Sequence, residues 1–406
     1  MAATATPMKN KNLVKASLIL SSIDGQVQAA LYMPILALIT QTFQDSNAVN
    51  FSFSITSGVM VVVIFIAGHL ARIVDKRNLM IVGTLIFIAG GFLGSFSPNV
   101  EVLIATRAIE GVGAGLVYPM VPAITAQLFE GRERTQVMGL LNGGACIIAF
   151  FLNFGAGTVG ALFGWRVCLY IYAILAIAVF MQLKFIPKLG PEKNLLGAKD
   201  SQGRKISVPV AVYLLAAANC VFSCCGMIFN MTLSGFVIDS GIGSSAVAGT
   251  AGSVQTFVGF LVGLAFARII KRLGRFVPAF ALAMLAICYF GLSVATTPFT
   301  VYCSIAFIGL CCGILYPYLN ECVARVTHVS KVTLGMSYVS IGMLVGNFLC
   351  SFFVAFLASA TNGSYTAMFA IIATAATIAS AAFFAAAILR GAAARKNAAA
   401  HEDDAA

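Results

Sequence analysis

Gly115-Leu116-Val117-Tyr118-Pro119 recurs as Gly313-Ile314-Leu315-Tyr316-Pro317, 198 residues further along the chain. A second pair has nearly the same offset: Ala71-Arg72-Ile73-Val74-Asp75-Lys76-Arg77-Asn78 returns as Ala267-Arg268-Ile269-Ile270-Lys271-Arg272-Leu273-Gly274. Gly139, which follows the basic residues Arg132 and Arg134, has a counterpart in Gly335 after Arg325 and Lys331. A sequence that repeats once across its length builds two related halves. When both halves are apolar, the expected product is a pseudo-symmetric membrane bundle with a binding site between the halves at mid-membrane.

Composition points the same way. Hydrophobic residues make up 60% of the 406 residues and charged residues 10%, and the mean hydropathy is +0.96. Soluble domains carry about 25% charged residues. Too few polar side chains remain here to cover a water-facing surface, so lipid takes the place of water around most of the chain. A helix needs about 20 apolar residues to cross a bilayer. Twelve such runs are readable, near 14–40, 51–70, 79–98, 101–127, 136–162, 167–187, 208–237, 246–270, 277–296, 300–326, 332–358 and 365–389. The expected fold is all-α: twelve transmembrane helices in two six-helix bundles, 1–187 and 208–389. A polar linker at 188–207 joins them, and a tail runs over 390–406.

The net charge of +11 reflects topology and not nucleic-acid binding. With the N-terminus placed inside, 23 of the 25 Lys and Arg residues fall on inner segments. Arg107, within a span, and Arg166, at an outer helix end, are the exceptions. Outer connections such as 41–50 and 239–245 carry no Lys or Arg. Basic residues gather on cytoplasmic loops, so the expected placement is the plasma (inner) membrane with both termini cytoplasmic. Lys9, Lys11 and Lys15 precede an apolar run, but Asp24 interrupts it and no A-x-A site follows. The segment therefore reads as a first helix and not a cleaved signal. All eleven cysteines fall in spans and none in an outer loop where a structural disulfide is expected. With only His69, His328 and His401 available, they read as small packing residues and not as metal ligands. No cofactor is implied.

Ionisable groups at membrane depth are expensive and mark function. Here they are Asp24, Arg107, Glu110 and Glu321. Ser21, Asp24, Gln28 and Tyr32 form a polar stripe on the first helix, and Arg107, Glu110, Ala114 and Tyr118 form one on the fourth. Asn219, Ser223 and Asn230 share a face of the seventh helix, and Cys312, Tyr316 and Asn320 share a face of the tenth. Four stripes, two from each half, are expected to line one cavity. A carboxylate in apolar surroundings holds its proton more firmly, whereas arginine stays charged. Asp24 is therefore the expected proton carrier, with Glu110 either a partner in coupling or the neutraliser of Arg107 one turn away. Glu321 reads as an interhelical hydrogen bond or gate.

These segments resemble the major facilitator superfamily along nearly the whole chain. The family's inner-loop pattern G-x-L-a-D-r-x-G-r-k is matched at Asp75 and Lys76, with Ala71 and Asn78 in place of its glycines. The second copy keeps Arg272, Gly274 and Arg275 but has Lys271 where the aspartate belongs. The helix-4 pattern l-x-x-x-R-x-x-q-G-x-g-a reads Leu103-Ile-Ala-Thr-Arg107-Ala-Ile-Glu110-Gly111-Val-Gly113-Ala114, with Glu110 replacing the usual glutamine. The entry Phe163-Gly164-Trp165-Arg166 is similar to the twelve-helix drug/proton antiporter group. The antiporter signature on helix 5 is incomplete, because Gly155–Gly160 lacks its proline.

The resemblance implies a non-enzymatic, monomeric transporter working by alternating access on a small molecule, with protons as coupling ion. It also implies an inner-loop latch at Asp75, joined by Lys76 and Arg134, with Arg272 and Arg275 in the weaker copy. Efflux of amphipathic compounds is the first expectation, and uptake or exchange of an organic anion at Arg107 the alternative. A non-transporting sensor fits less well, since the loops offer little docking surface. No P-loop or H-E-x-x-H motif is present.

Overall fold

The computed structural model describes the backbone of residues 10–71, 73–190, 209–327 and 332–403. Most of the expected linker (191–208) lies outside these residues, as do the side chains of Asp24, Arg132 and the tail from 390 onward. The described residues contain helices and no strand.

Ten helical segments are long and apolar enough to cross a bilayer. They correspond to ten of the twelve expected spans, and the other two are present in altered form. The first expected span is broken: α1 (Lys11–Ser21) ends in a turn at Ser22 and Ile23, and α2 (Asp24–Phe43) begins at Asp24. The fourth is the 29-residue helix α5 (Val100–Leu128), which carries Glu101, Arg107, Glu110 and two prolines. At 1.5 Å per residue it is about 43 Å long, enough to span the hydrocarbon core. The remaining spans of the first half are α3 (Ser46–Leu70), α4 (Lys76–Gly94), α6 (Gly131–Phe163) and three collinear pieces, α7 (Trp165–Cys168), α8 (Ile171–Ile174) and α9 (Ala176–Phe185). The second half comprises α10 (Val210–Asp239), α11 (Ser245–Leu273), α12 (Val277–Ser293), α13 (Pro298–Val326), α14 (Val332–Ala360) and α15 (Tyr365–Asp403). Side chains such as Leu162, Leu214, Phe299 and Leu264 are about seven-tenths exposed on the outer surface of the bundle. Lipid is the medium that such a surface requires.

Local chemistry sets the helix ends. Asp45 and Asn99 cap α3 and α5 by accepting from the amides of Ala48 and Val102, and Thr297 opens α13 with a capping box to Thr300. Gly164, at φ +83°, turns the chain from α6 into α7, a conformation that side chains with a Cβ disfavour.

Within each half, equivalent helices pair: α4 with α5 and α3 with α5 in the first, α12 with α13 and α11 with α13 in the second. Gly113 lies against the backbone of Phe87 and Gly90 against that of Glu110, so closely that a Cβ at either position would clash. Gly342 and Gly346 press against the carbonyls of Ala216 and Cys220 on α10. Gly139 and Gly263, by contrast, face open space.

The halves meet along α2–α10, α2–α11, α3–α14 and α6–α11. Their closest contacts gather toward the ends of these helices that lack basic residues. Ser54 on α3 bonds Ser351 on α14 at 2.8 Å, with Phe51 packed edge-on against Phe352 beside it. Ser234 donates to the Pro34 carbonyl at 2.7 Å. On α11, Ser245 and Ser253 donate to the carbonyls of Gly157 and Phe150 at 3.0 and 2.8 Å, and Gly249 touches the backbone of Asn153 and Gly157. At the opposite, basic end, the hydrogen bonds and ion pairs of Lys11, Lys15, Asp75, Arg77 and Arg325 all stay within one half. Among the described residues, the hydrogen bonds that join the halves are thus concentrated toward the end without basic residues.

Gly249→Val tests this seam. A wedge between two backbones costs about 1–3 kcal/mol unless the helices part, so the distance between spin labels at positions 162 and 241 should lengthen. An unaltered distance distribution would show that the α6–α11 contact does not hold the halves together.

Candidate functional site

Among the described residues, the interior of the first half holds one charged cluster. Arg107 and Glu110 lie one turn apart on α5, both with fully buried side chains, and the Arg107 Nη1 donates to Glu110 Oε2. Tyr172 of α8 donates from its hydroxyl to the other carboxylate oxygen, Oε1, at 2.8 Å. Tyr32 of α2 lays its ring under the guanidinium, 3.8 Å from Cζ to the ring centroid. Arg107 Nε reaches the Ser52 carbonyl at 3.4 Å, and the Arg107 carbonyl accepts from Thr56, both on α3. Five helices thus enclose two charges. A buried ion is tolerated only when paired and hydrogen-bonded, and the cation–π contact adds attraction where water is excluded.

The close approach of α4 makes this site possible. Gly90 admits the backbone of Glu110, and Gly91 leaves room for the ring of Tyr172; any side chain at either position would occupy the same volume. Tyr172, Gly90 and Gly91 were not singled out by the sequence. A tyrosine on a mostly apolar helix carries no periodic signal, and a glycine's role shows only in what packs against it. Asp24 begins α2 two turns before Tyr32, but its side chain lies outside the described residues.

The other expected cavity residues separate into three environments. Tyr118 and Tyr316, the tyrosines of the repeated Gly-x-x-Tyr-Pro, lie within electrostatic range of each other from opposite halves. Tyr118 is paired with Ser340 of α14, and Tyr316 with Ser223 at 3.4 Å and edge-on with Phe222. Gln28, Asn219 and Asn230 are buried. Asn219 donates to the Val339 carbonyl at 2.9 Å and Asn230 contacts Met227 sulfur at 3.1 Å, both inside the second half. Asn320, one turn beyond Tyr316 on α13, is exposed.

The inner-loop residues form a compact strap. Asp75 caps α4 through the amide of Arg77 and also accepts from the amides of Leu189 and Gly190, at 2.9 and 2.7 Å. Arg77 donates to the carbonyls of Gln182 and Leu183 at the end of α9, where the helix dipole is negative. Lys76 reaches Gln127 of α5 at 3.3 Å. Arg134, expected as the partner of Asp75, is exposed and not among its contacts. Instead, Asp75 holds the start of the linker against its own half through two adjacent amides. Arg272 and Arg275 are exposed, and Arg275 lies over Phe276. Glu321 pairs with Arg325 one turn along the same helix, so its interaction is within α13 and not between helices. Glu133 joins α6 to α1 through Lys15 at 3.0 Å and Lys11 at 3.2 Å, and these two lysines hold its carboxyl below the usual range.

The model of the Major Facilitator Superfamily matches residues 18–328. The chain belongs to this superfamily. Among curated relatives, an uncharacterized MFS-type transporter, YcnB of Bacillus subtilis (strain 168), is 29% identical over 42% of this chain and 36% of its own length. The multidrug resistance protein MdtL of Shigella dysenteriae serotype 1 (strain Sd197) is 29% identical over 39% of this chain and 41% of its own. The alignments thus span about two-fifths of these relatives. The peptide transporter POT in complex with sulfate superposes with a TM-score of 0.76 at 14% identity, covering 94% of this chain and 96% of that one. A variant of the nucleoside transporter NupG gives 0.76 at 15%, covering 92% and 99%. Within this fold of two six-helix bundles, the charged cluster belongs to the first bundle alone.

Removing one partner of a buried ion pair leaves a bare charge and costs about 3–5 kcal/mol. Arg107→Ala should therefore lower thermal stability sharply, while Arg107→Ala combined with Glu110→Ala should recover part of the loss. Equal destabilisation by the single and double variants would refute the pairing. Glu133 tests the basic end. Its lowered carboxyl stabilises the fold when ionised, and that contribution disappears as pH falls through the folded carboxyl's range. The melting-point difference between wild type and Glu133→Gln should be present at neutral pH and vanish in acid.

Proposed function

We propose that this superfamily member is a secondary active transporter that exports amphipathic, drug-like solutes in exchange for protons. The supporting observation is a fully buried glutamate, Glu110, in contact with a cation that cannot titrate, Arg107. When Glu110 is ionised the pair is neutral and α5 is tied to α8 through Tyr172. A proton on Glu110 cancels its attraction for Arg107 and leaves the guanidinium to seek new partners, moving α5 relative to α2 and α3. Asp24, at the break between α1 and α2, is the second proton site in this reading. Titrating groups coupled to a two-state bundle convert a proton gradient into a change of access.

Basic loops mark the cytoplasmic side, so both termini are cytoplasmic in this proposal. The seam between the halves then lies at the outer end, and the structure corresponds to a cytoplasm-open state. Boundaries at 187/188, 207/208 and 389/390 divide the two bundles, linker and tail, and the transporter works as a monomer. The solute enters between the halves past Tyr118 of α5 and Tyr316 of α13, with Gln28 of α2, Asn219 and Asn230 of α10 and Asn320 of α13 as recognition groups. Their aromatic and amide character suits amphipathic compounds. The likeness to MdtL supports efflux, and Glu110 already neutralises Arg107, which weighs against an organic anion as the guanidinium's partner.

Reconstituted in proteoliposomes under an imposed pH gradient, the wild-type chain should drive uptake of a fluorescent cationic dye such as ethidium into inside-out vesicles. Glu110→Gln and Asp24→Asn should each abolish the gradient-driven part and spare exchange at equal pH. Full gradient-driven flux in both variants would remove these carboxylates from the coupling mechanism.

A further inference from the structure

Helices α10 and α14 run side by side and parallel, and their contact repeats every four residues. Gly342 abuts the carbonyl of Ala216, and Gly346 abuts that of Cys220. The partners in both rungs are 126 residues apart, and the rings of Tyr213 and Tyr338 pack 5.1 Å apart on the same seam. One turn further along both helices, the same offset pairs Cys224 with Cys350. The two thiols lie close enough to interact. Both are free thiols, Cys350 buried and Cys224 half-buried, and neither takes part in the charged cluster or the inner-loop strap.

Small residues at the two preceding rungs explain the meeting of the sulfurs. Without a Cβ at positions 342 and 346 the backbones come together, and the next pair of Cα atoms is drawn toward the separation of about 4.4–6.8 Å that a disulfide requires. A thiol pair that closes and reopens serves transient redox sensing and not permanent stapling.

We propose that Cys224 and Cys350 form a dithiol modification site that closes reversibly to a disulfide, clamping α10 to α14. The oxidant is of the hydroperoxide class. The half-buried Cys224 sulfur takes the terminal oxygen as the O–O bond breaks, giving a sulfenic acid and an alcohol. The Cys350 sulfur then attacks that sulfur; the S–S bond forms, the S–O bond breaks, and the oxygen leaves as water with the thiol proton. Two electrons pass from the thiol pair to the peroxide, and a small dithiol returns them.

The test uses the full-length chain in detergent with the other nine cysteines replaced by serine or alanine, treated with tert-butyl hydroperoxide. Both thiols should disappear from maleimide titration, the intact mass should fall by two hydrogen atoms, and the melting midpoint should rise. Dithiothreitol should reverse all three changes. Cys350→Ser in that background should show neither the mass loss nor the rise in midpoint. Thiols that stay titratable, or disulfide-linked dimers in place of the internal bridge, would overturn the site. If the nine-fold variant does not fold, peptide mapping of the oxidised wild-type chain should recover a Cys224–Cys350 cross-linked peptide. Cross-links confined to other cysteines would overturn the site equally.

Discussion

The buried pair of Arg107 and Glu110 constrains everything around it. Two opposite charges without water are stable only at close range and fully enclosed, and this requirement reaches into five helices. It fixes which face of α5 turns inward, places Tyr172 against the carboxylate and Tyr32 against the guanidinium, and demands glycine at 90 and 91, where α4 must yield space. The first half is thus organised around a polar centre, although its composition is that of an apolar bundle.

The second half shows how specific that arrangement is. At the offset of the repeated Tyr-Pro segment, Arg107 corresponds to Ile305 and Glu110 to Ile308, both fully buried. Equivalent positions in the same fold therefore carry charge in one copy and aliphatic side chains in the other. The duplication preserved the helices and their packing while leaving the charge chemistry to one side.

The contacts between the halves are of a different kind from those within them. Serine hydroxyls bonded to backbone carbonyls, one serine pair and a cluster of phenylalanines join the halves at one end. These are neutral interactions, each worth about 0.5–1.5 kcal/mol net, and several must break together for the seam to open. Weak, numerous contacts permit an opening that a buried interfacial salt bridge would resist. At the basic end, Asp75 and Arg77 spend their charge on the backbone of α9 and the first linker residues, so no charged contact described there crosses between the halves.

The duplication, the helical runs and the superfamily were legible in the residues themselves, because lipid requires long apolar helices and each helix satisfies its own backbone. The pairing of Arg107 with Glu110 was also legible, since residues three apart on a helix share a face. Spacing along one helix does not reveal what lies opposite. The role of Tyr172, the tolerance for charge granted by Gly90 and Gly91, the choice by Asp75 of linker amides over Arg134, and the break at Ser22 and Ile23 all arise between elements distant in sequence. So does the pairing of Tyr118 with Ser340 of the other half. Periodicity determined which residues face inward, while the packing of helix against helix decided what each of them meets.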